Sequence, residues 1–150
     1  MAGGNDICQE ETIGENFKAD LKTRLEETLQ LVGPDSNLIL MSTIPDIDQV
    51  VNELQCPVPA SYREFVLDYM CPNHDKLTSD EFQTRLELLG EAIAEVAADS
   101  EFNVVFDDHL IYDTTITNDQ VSNLDCFHPT VQGQQDIADT LWPLVAPYFE

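Results

Sequence analysis

Short apolar runs alternate with amphipathic helical repeats along this chain, and no other feature of the sequence restricts the fold as much. Apolar residues recur at helical spacing over residues 17–32, and the capping-box pattern Thr78-x-x-Glu81 opens the longest predicted helix. Residues 37–42 and 102–106 are apolar runs with the length of buried strands. Because short strands alternate with helices, the sequence predicts an α/β fold with helices on the faces of a sheet.

Two further helices are predicted from capping patterns. Ser61-x-x-Glu64 is a second capping box, and Thr130 can cap a final helix. The predicted inward residues of these helices are Tyr62, Phe65, Val66, Tyr69 and Met70 for the first, and Ile137, Leu141, Leu144 and Val145 for the second.

Three loop segments are expected to converge. Functional sites in α/β sheets gather at the carboxyl ends of strands. Residues 3–6, 42–46 and 107–128 all follow predicted strands, and the last of them is long enough to suggest a functional loop.

The charge of the chain excludes some classes of partner. Its 150 residues, which we interpret as one domain, carry 29 acidic and 6 basic side chains, for a formal net charge of -23. Such a surface repels nucleic acids and anionic membranes. The sequence contains no apolar run long enough for a transmembrane helix, and its N-terminus lacks the features of a signal peptide. The oligomeric state stays open.

The stretch from Asp125 to Gly133 holds a compact pair of an acid and an imidazole. Asp125 precedes His128 by three residues, and Pro129 follows at once. A carboxylate in that position can hold the Nδ1–H of the imidazole and stabilise the imidazolium that forms in general-base catalysis. Pro129 disfavours the helical conformation at His128, so the pair is expected on a turn before the helix that Thr130 caps.

Other candidate groups are weaker. Ser42 follows a predicted strand, but it lacks the G-x-S-x-G turn that exposes a nucleophilic serine. The segment Asp107-Asp108-His109 could ligate a metal together with Asp113, yet acidic loops are common in so acidic a chain, and no metal is predicted. His74 is predicted to be an exposed loop histidine.

Two blocks resemble motifs of the SGNH (GDSL) hydrolases, a family of esterases and lipases. Gly3-Gly4-Asn5-Asp6 is similar to the G-x-N-D block of that family, and residues 125–133 are similar to its D-x-F-H-P-[ST]-x-x-G block. Ser42-Thr43-Ile44-Pro45-Asp46 resembles a strand-end motif of secreted, cysteine-containing members. The chain as a whole is similar to that secreted group and to the phospholipase-B-like members. The resemblance implies a three-layer α/β/α, flavodoxin-like parallel sheet, favours an extracellular location and involves no cofactor.

The resemblance also implies roles for individual residues. His128 is the expected general base and acid, and Asp125 is expected to orient it. Asn5 is the expected side-chain donor of an oxyanion hole, while Gly3 and Asp6 support its loop. The substrate is then a small-molecule or lipid ester.

The Gly-Asp-Ser block that carries the nucleophilic serine in this family has no counterpart in the chain. We therefore interpret the sequence as an N-terminally truncated hydrolase that is inactive by itself. The alternative hypothesis is a non-catalytic acidic binding module that descends from the hydrolases.

Four cysteines allow three disulfide pairings. If the predicted loops converge, Cys8 and Cys126 can form a bridge, and Cys56 and Cys71 then close a loop of about 15 residues, worth roughly 3 kcal/mol. The other pairings stay open, as does the compartment.

Overall fold

A computed structural model gives the fold of residues 7–8, 16–32, 38–46, 48–50, 54–55 and 57–149. The helices are α1 (Phe17–Val32), α2 (Ala60–Met70), α3 (Ser79–Asp99) and α4 (Val131–Val145). The strands are β1 (Ile39–Met41) and β2 (Val104–Phe106), and short 3-10 helices cover Asn118–Gln120 and Ala146–Tyr148. None of these described helices is long and apolar enough to cross a membrane.

The two strands pair in parallel, as an α/β fold requires. Ile39 lies opposite Val104 and Met41 lies opposite Phe106. Backbone bonds extend the pairing at both ends, because the Ile39 amide donates to the Asn103 carbonyl (2.9 Å) and the Asp107 amide donates to the Met41 carbonyl (3.3 Å). The described residues form a sheet of these two strands. The three-layer sheet therefore stays a prediction.

Helices α1 and α3 pack against each other and form most of the core. The buried residues of α1 are Phe17, Leu21, Leu25 and Leu29, and the large apolar ones of α3 are Phe82, Leu86, Leu89, Ile93 and Val96. Both sets recur at the spacing of one helix face, which confirms the predicted faces. The exposed edge of this pair carries ion pairs such as that between Lys18 and Glu91 (2.7 Å), and hydrogen bonding to Glu91 raises the pKa of Lys18.

The two predicted capping boxes have different outcomes. At the start of α3, the Thr78 hydroxyl accepts from the Glu81 amide (3.3 Å) and the Glu81 carboxylate accepts from the Thr78 amide (2.8 Å), so this capping box is confirmed. The capping box at Ser61 is wrong. Helix α2 begins at Ala60 with Pro59 as its N-cap, two residues before the predicted N-cap Ser61, and no side chain caps it. Pro59 has an extended ψ of 140°, which is the backbone conformation typical of an N-cap residue.

The predicted apolar stripe of α2 is also wrong in part. Tyr62, Phe65 and Tyr69 are 45 %, 67 % and 80 % exposed, whereas Val66 and Leu67 are buried. Apolar side chains surround much of α2, so its periodicity does not select one face. Helix α4 differs from its prediction in degree, because its inward apolar side chains are only half-buried.

A disulfide between Cys8 and Cys71 joins the N-terminal segment to the end of α2. The pairing of Cys8 with Cys126, and of Cys56 with Cys71, is therefore wrong. Two further contacts hold the same segment. The Asn73 amide group donates to the Cys8 carbonyl (3.2 Å), and the buried Arg85 guanidinium donates to the Ile7 carbonyl (2.6 Å). These contacts fix Ile7 against α3 and Cys8 against the turn after α2.

Candidate active site

The Asp125 carboxylate contacts the His128 ring and the backbone amides of Phe127 and His128. Its Oδ2 lies 2.9 Å from the Nδ1 of His128. Its Oδ1 accepts from the backbone amides of Phe127 and His128, each at 3.0 Å. A carboxylate with these partners holds Nδ1 as the protonated nitrogen and leaves Nε2 as the proton acceptor. The structure thus brings together the two residues that the sequence pairs.

The turn that carries this pair is held on both sides. Val121 and Pro129 form an antiparallel bridge, and the Ser122 amide donates to the His128 carbonyl at 2.8 Å. Cys126 occupies the left-handed region with a φ of 57°, which is uncommon for a residue with a side chain. The buried Cys126 is disulfide-bonded, so a covalent link supports this conformation.

The start of α4 holds the C-terminal end of the turn in place. The Thr130 hydroxyl accepts from the Gly133 amide (3.1 Å) and donates to the Asp119 carbonyl (2.9 Å). The predicted cap at Thr130 is therefore confirmed. At Gly133, an added Cβ would lie 2.3 Å from the Gln120 carbonyl oxygen, so only glycine allows α4 to approach the 3-10 helix this closely.

The electrostatic environment keeps Asp125 ionised. Burial alone raises the pKa of this carboxyl, but the hydrogen bonds from the His128 ring and the two backbone amides outweigh burial and lower the pKa below its usual value. The His128 side chain is 54 % exposed. The ring is therefore accessible to a bound molecule.

An apolar pocket of about 350 Å³ opens beside His128. The segments after both strands, the end of α2, the His128 turn and the first turns of α4 contribute to its walls. Representative lining residues are Ile44, Met70, Ile111, Phe127 and Ile137. Two of the segments that were expected to converge thus line one pocket. In the sequence, the apolar residues Phe127 and Pro129 on both sides of His128 indicated an apolar surface beside the histidine.

Asp107, which belongs to the weak metal-binding candidate in the sequence, has a structural role. It is 1 % exposed and accepts hydrogen bonds from the Thr43 amide (2.9 Å), the Thr43 hydroxyl (2.8 Å) and the Ser42 hydroxyl (3.1 Å). The Ile111 amide adds a fourth bond (3.3 Å). The neighbouring Asp108 side chain is 90 % exposed. Asp107 therefore ties together the loops that follow β1 and β2.

The prediction for His74 is wrong in one respect. It lies in a turn, but its side chain is only 8 % exposed, because the ring folds back and its Nδ1 lies 3.0 Å from the Cys71 carbonyl oxygen. Glu64, Asp68 and His74 are described residues whose potential ligand atoms lie within 4.8 Å of one another. Exposed carboxylates often cluster in this way without an ion, and the Cys71 contact already uses one ring nitrogen.

The remaining predicted site residues, Asn5, Gly3 and Asp6, lie outside the described residues. The first described residue after them is Ile7, which is fully buried. Arg85 and the Cys8–Cys71 bridge hold the chain immediately after the predicted Asn5 loop.

A comparison with known families identifies the family of the chain. The family described as GDSL-like Lipase/Acylhydrolase matches residues 1–141. The chain belongs to this family. No curated protein and no solved structure matches the chain. Membership in the GDSL family makes the chain an esterase- or lipase-type hydrolase by descent and implies an α/β fold, with which the parallel pair of β1 and β2 agrees.

Proposed function

We propose that this GDSL-family chain acts in the hydrolysis of carboxylic esters, with His128 as the general base and acid and Asp125 as its orienting carboxylate. The observation that carries the proposal is the 2.9 Å contact between Asp125 Oδ2 and His128 Nδ1 beside an apolar pocket. The other ring nitrogen, Nε2, has no hydrogen bond to a described residue. Nε2 is the nitrogen that would accept the proton of a serine hydroxyl.

The mechanism is acyl transfer in two steps. A serine oxygen attacks the ester carbonyl carbon while its proton moves to His128 Nε2, and the tetrahedral intermediate then expels the alcohol, which takes that proton. In the second step, water attacks the acyl-enzyme and gives a proton to His128. The serine oxygen takes that proton from His128 as it leaves the acyl group. Asn5 is proposed to donate to the oxyanion, where the loss of one donor costs about 3–4 kcal/mol of transition-state stabilisation. Gly3 and Asp6 are proposed to shape the Asn5 loop.

The nucleophile is proposed to come from a Gly-Asp-Ser block outside these 150 residues. Several of the described serines have structural roles. The Ser42 hydroxyl donates to the Thr43 carbonyl and Asp107, the Ser122 hydroxyl accepts from the Leu124 amide, and Ser79 opens α3. These contacts disfavour Ser42 and Ser122 as the nucleophile.

The test uses the coding sequence upstream of Met1. If an in-frame Gly-Asp-Ser codon block is present there, we expect the longer chain to cleave short p-nitrophenyl esters. His128→Ala should then lower kcat/KM by at least about 10³-fold, since the general base is lost. The matched control is His109→Ala, because the His109 side chain is 32 % exposed and lies outside the lining of the pocket. Equal activity of the His128 variant and the parent chain would refute the role of His128.

The second candidate is a non-catalytic acidic binding module. The net charge of -23 favours it, because so acidic a surface suits a cationic partner. A promoter and ribosome-binding site directly before Met1, without an upstream Gly-Asp-Ser, would favour the module over the enzyme.

A further inference from the structure

We propose that the disulfide at Cys126 positions the Asp125–His128 pair, so that the pair is assembled only while this bridge is oxidised. The catalytic meaning of the pair rests on the proposed hydrolase function. The link between the bridge and the pair rests only on the geometry of the turn that carries them.

The backbone of Cys126 sets the relative position of the two residues. Cys126 directly follows Asp125 and precedes His128 by two residues, so rotation about its N–Cα bond moves one relative to the other. Its φ of 57° lies in the left-handed region, which for a residue with a side chain is disfavoured about tenfold in population. The contacts of the pair therefore depend on an uncommon conformation.

The hydrogen bonds of the turn hold this conformation only weakly. The Cys126 amide donates to the Ser122 carbonyl (2.8 Å), and Asp125 Oδ1 accepts from the Phe127 and His128 amides (3.0 Å each). The Asp125 and His128 side chains are both partly exposed, so water competes for these donors and acceptors. A covalent bond does not exchange with water. The bridge is therefore the contact that restrains Cys126 most strongly.

The partner that we assign to Cys126 is Cys56, which lies outside the described residues. Cys126 is disulfide-bonded, and once the Cys8–Cys71 bridge is set aside, Cys56 is the remaining cysteine of the four in the sequence. The described residues on both sides of it agree with this assignment, because Gln55 and Pro57 line the same small cavity as Cys126. The bridge thus joins the turn to the segment before α2.

Reduction of this bridge removes the restraint. The step is a thiol–disulfide exchange with a dithiol, such as dithiothreitol. The dithiol supplies two electrons and two protons, so that Cys56 and Cys126 become thiols while the dithiol becomes a cyclic disulfide. Cys126 can then leave the left-handed region, and this rotation separates Asp125 from His128. The same chain therefore holds the pair in an oxidising compartment and loses it in a reducing one.

The test follows the tautomer of His128, which a bridge with a merely structural role would not change. In the 150-residue chain, Asp125 holds the ring proton on Nδ1. ¹⁵N NMR of the ring, at a pH where the imidazole is neutral, distinguishes this form from the Nε2–H form that an unrestrained imidazole favours. We expect the Nδ1–H form to predominate in the oxidised chain.

Two variants remove the bridge and differ only at the left-handed position. Cys56→Ser/Cys126→Ser keeps a side chain there, so the ratio of paired to unpaired turn should fall about tenfold and the Nε2–H form should appear. Cys56→Ser/Cys126→Gly is the matched control, because glycine adopts a positive φ without steric cost. This variant should keep the Nδ1–H form although it has no bridge.

The pKa of Asp125 gives a second readout in the same samples. Burial raises the pKa of this carboxyl, and hydrogen bonds from the His128 ring and two backbone amides lower it by more. When the pair separates, these hydrogen bonds are lost. The pKa, measured by ¹³C NMR of the carboxyl, should therefore rise in Cys56→Ser/Cys126→Ser and stay low in Cys56→Ser/Cys126→Gly.

Dithiothreitol tests the redox dependence directly. Added to the unmodified chain, it should produce the tautomer change seen in Cys56→Ser/Cys126→Ser. The control is Cys56→Ser/Cys126→Gly with the same reagent, because only the Cys8–Cys71 bridge is then left to reduce. This control should keep the Nδ1–H form. Equal loss of that form in the control would assign the redox response to the other bridge and overturn the inference.

The inference is also overturned if a folded Cys56→Ser/Cys126→Ser chain keeps the Nδ1–H form, or if a folded Cys56→Ser/Cys126→Gly chain loses it. Circular dichroism identifies a variant that does not fold. If only the serine variant fails to fold, the glycine variant decides. If both fail, the bridge supports the whole fold instead of the turn, and the inference is equally overturned.

These outcomes are separate from those of the hydrolase proposal, because neither the tautomer nor the pKa requires cleavage of an ester. Full esterase activity of His128→Ala would refute the catalytic role and leave the link between the bridge and the pair standing. Conversely, a pair that persists without the bridge would leave the hydrolase mechanism intact.

Discussion

Asp107 is a buried side chain that holds together two loops beside the pocket. It accepts four hydrogen bonds from the loop after β1 and from its own loop, and it is almost fully buried. A buried carboxylate is stable only when donors replace the water that it loses. These four donors do so, and they also fix Ser42 and Thr43 relative to Ile111.

Replacing Asp107 with Asn should test this function. The amide has nearly the same shape but only one acceptor oxygen, so part of the network is lost and an NH₂ group faces donors. We expect the free energy of unfolding to fall by about 2–4 kcal/mol in urea titrations. The control is Asp108→Asn at the exposed neighbouring position, which should change it by no more than about 0.5 kcal/mol. Equal effects of the two substitutions would show that the network contributes little.

Gly133 gives a second prediction at this scale. In Gly133→Ala, the new Cβ meets the Gln120 carbonyl oxygen at 2.3 Å, so backbone must move. We expect a loss of about 2 kcal/mol in the free energy of unfolding, measured by urea titration. Gly90→Ala is the control, because its Cβ meets the tip of the His109 side chain, which can turn toward solvent. A loss for Gly90→Ala as large as that for Gly133→Ala would contradict this explanation.

At the scale of elements, the N-terminal segment depends on links to helices that lie far along the chain. The Cys8–Cys71 bridge spans 63 residues of sequence and joins this segment to the end of α2. Arg85 of α3, whose guanidinium lies 5.6 Å from the centre of the Phe17 ring, holds Ile7. The segment after the predicted Asn5 loop is therefore anchored to two helices by a covalent bond and a buried cation.

Removing the Cys8–Cys71 bridge should destabilise the fold considerably. For a loop of 63 residues, the chain-entropy model gives about 4 kcal/mol. We expect Cys8→Ser/Cys71→Ser to lose about that much in the free energy of unfolding, together with a larger m-value because the unfolded chain expands. Cys8→Ala/Cys71→Ala separates the loss of the bridge from the polarity of serine. Unfolding free energies equal to that of the unmodified chain in both variants would exclude a structural role for the bridge.

At the scale of the whole molecule, the net charge of -23 opposes the compact state. Two lysines of α1 offset part of it, because Lys18 and Lys22 pair with acidic residues of α3. Ion pairs at an exposed surface contribute little to stability. Repulsion among the excess acidic groups therefore dominates the electrostatic part of the stability.

The stability of the fold should rise with salt. Between about 0.01 M and about 1 M NaCl the Debye length falls from about 30 Å to about 3 Å, which screens the repulsion. We expect Tm to rise by on the order of 5 °C over this range in a thermal melt followed by circular dichroism. Glu26→Gln/Glu27→Gln, at exposed positions of α1, should raise Tm at low salt and reduce the salt dependence. A Tm that falls as salt is added would show that the ion pairs dominate instead.

Patterns confined to one element could be predicted from the sequence. The capping box at Thr78, the cap at Thr130 and the buried faces of α1 and α3 depend on residues three or four positions apart, so sequence spacing sets them. The face of α2 could not be predicted, since Phe65, Val66 and Leu67 are adjacent and apolar, and only packing selects between them.

The sequence by itself determined the Asp125–His128 pair. A spacing of three residues, with Pro129 directly after His128, brings the carboxylate within hydrogen-bond distance of the ring. The sequence also carried the motifs that identify the family. Only the tertiary structure decided the Cys8–Cys71 bridge, the network of Asp107 and the walls of the pocket beside His128. Each of these joins residues that are distant in the chain, and their contacts arise only when the helices pack on the parallel strands.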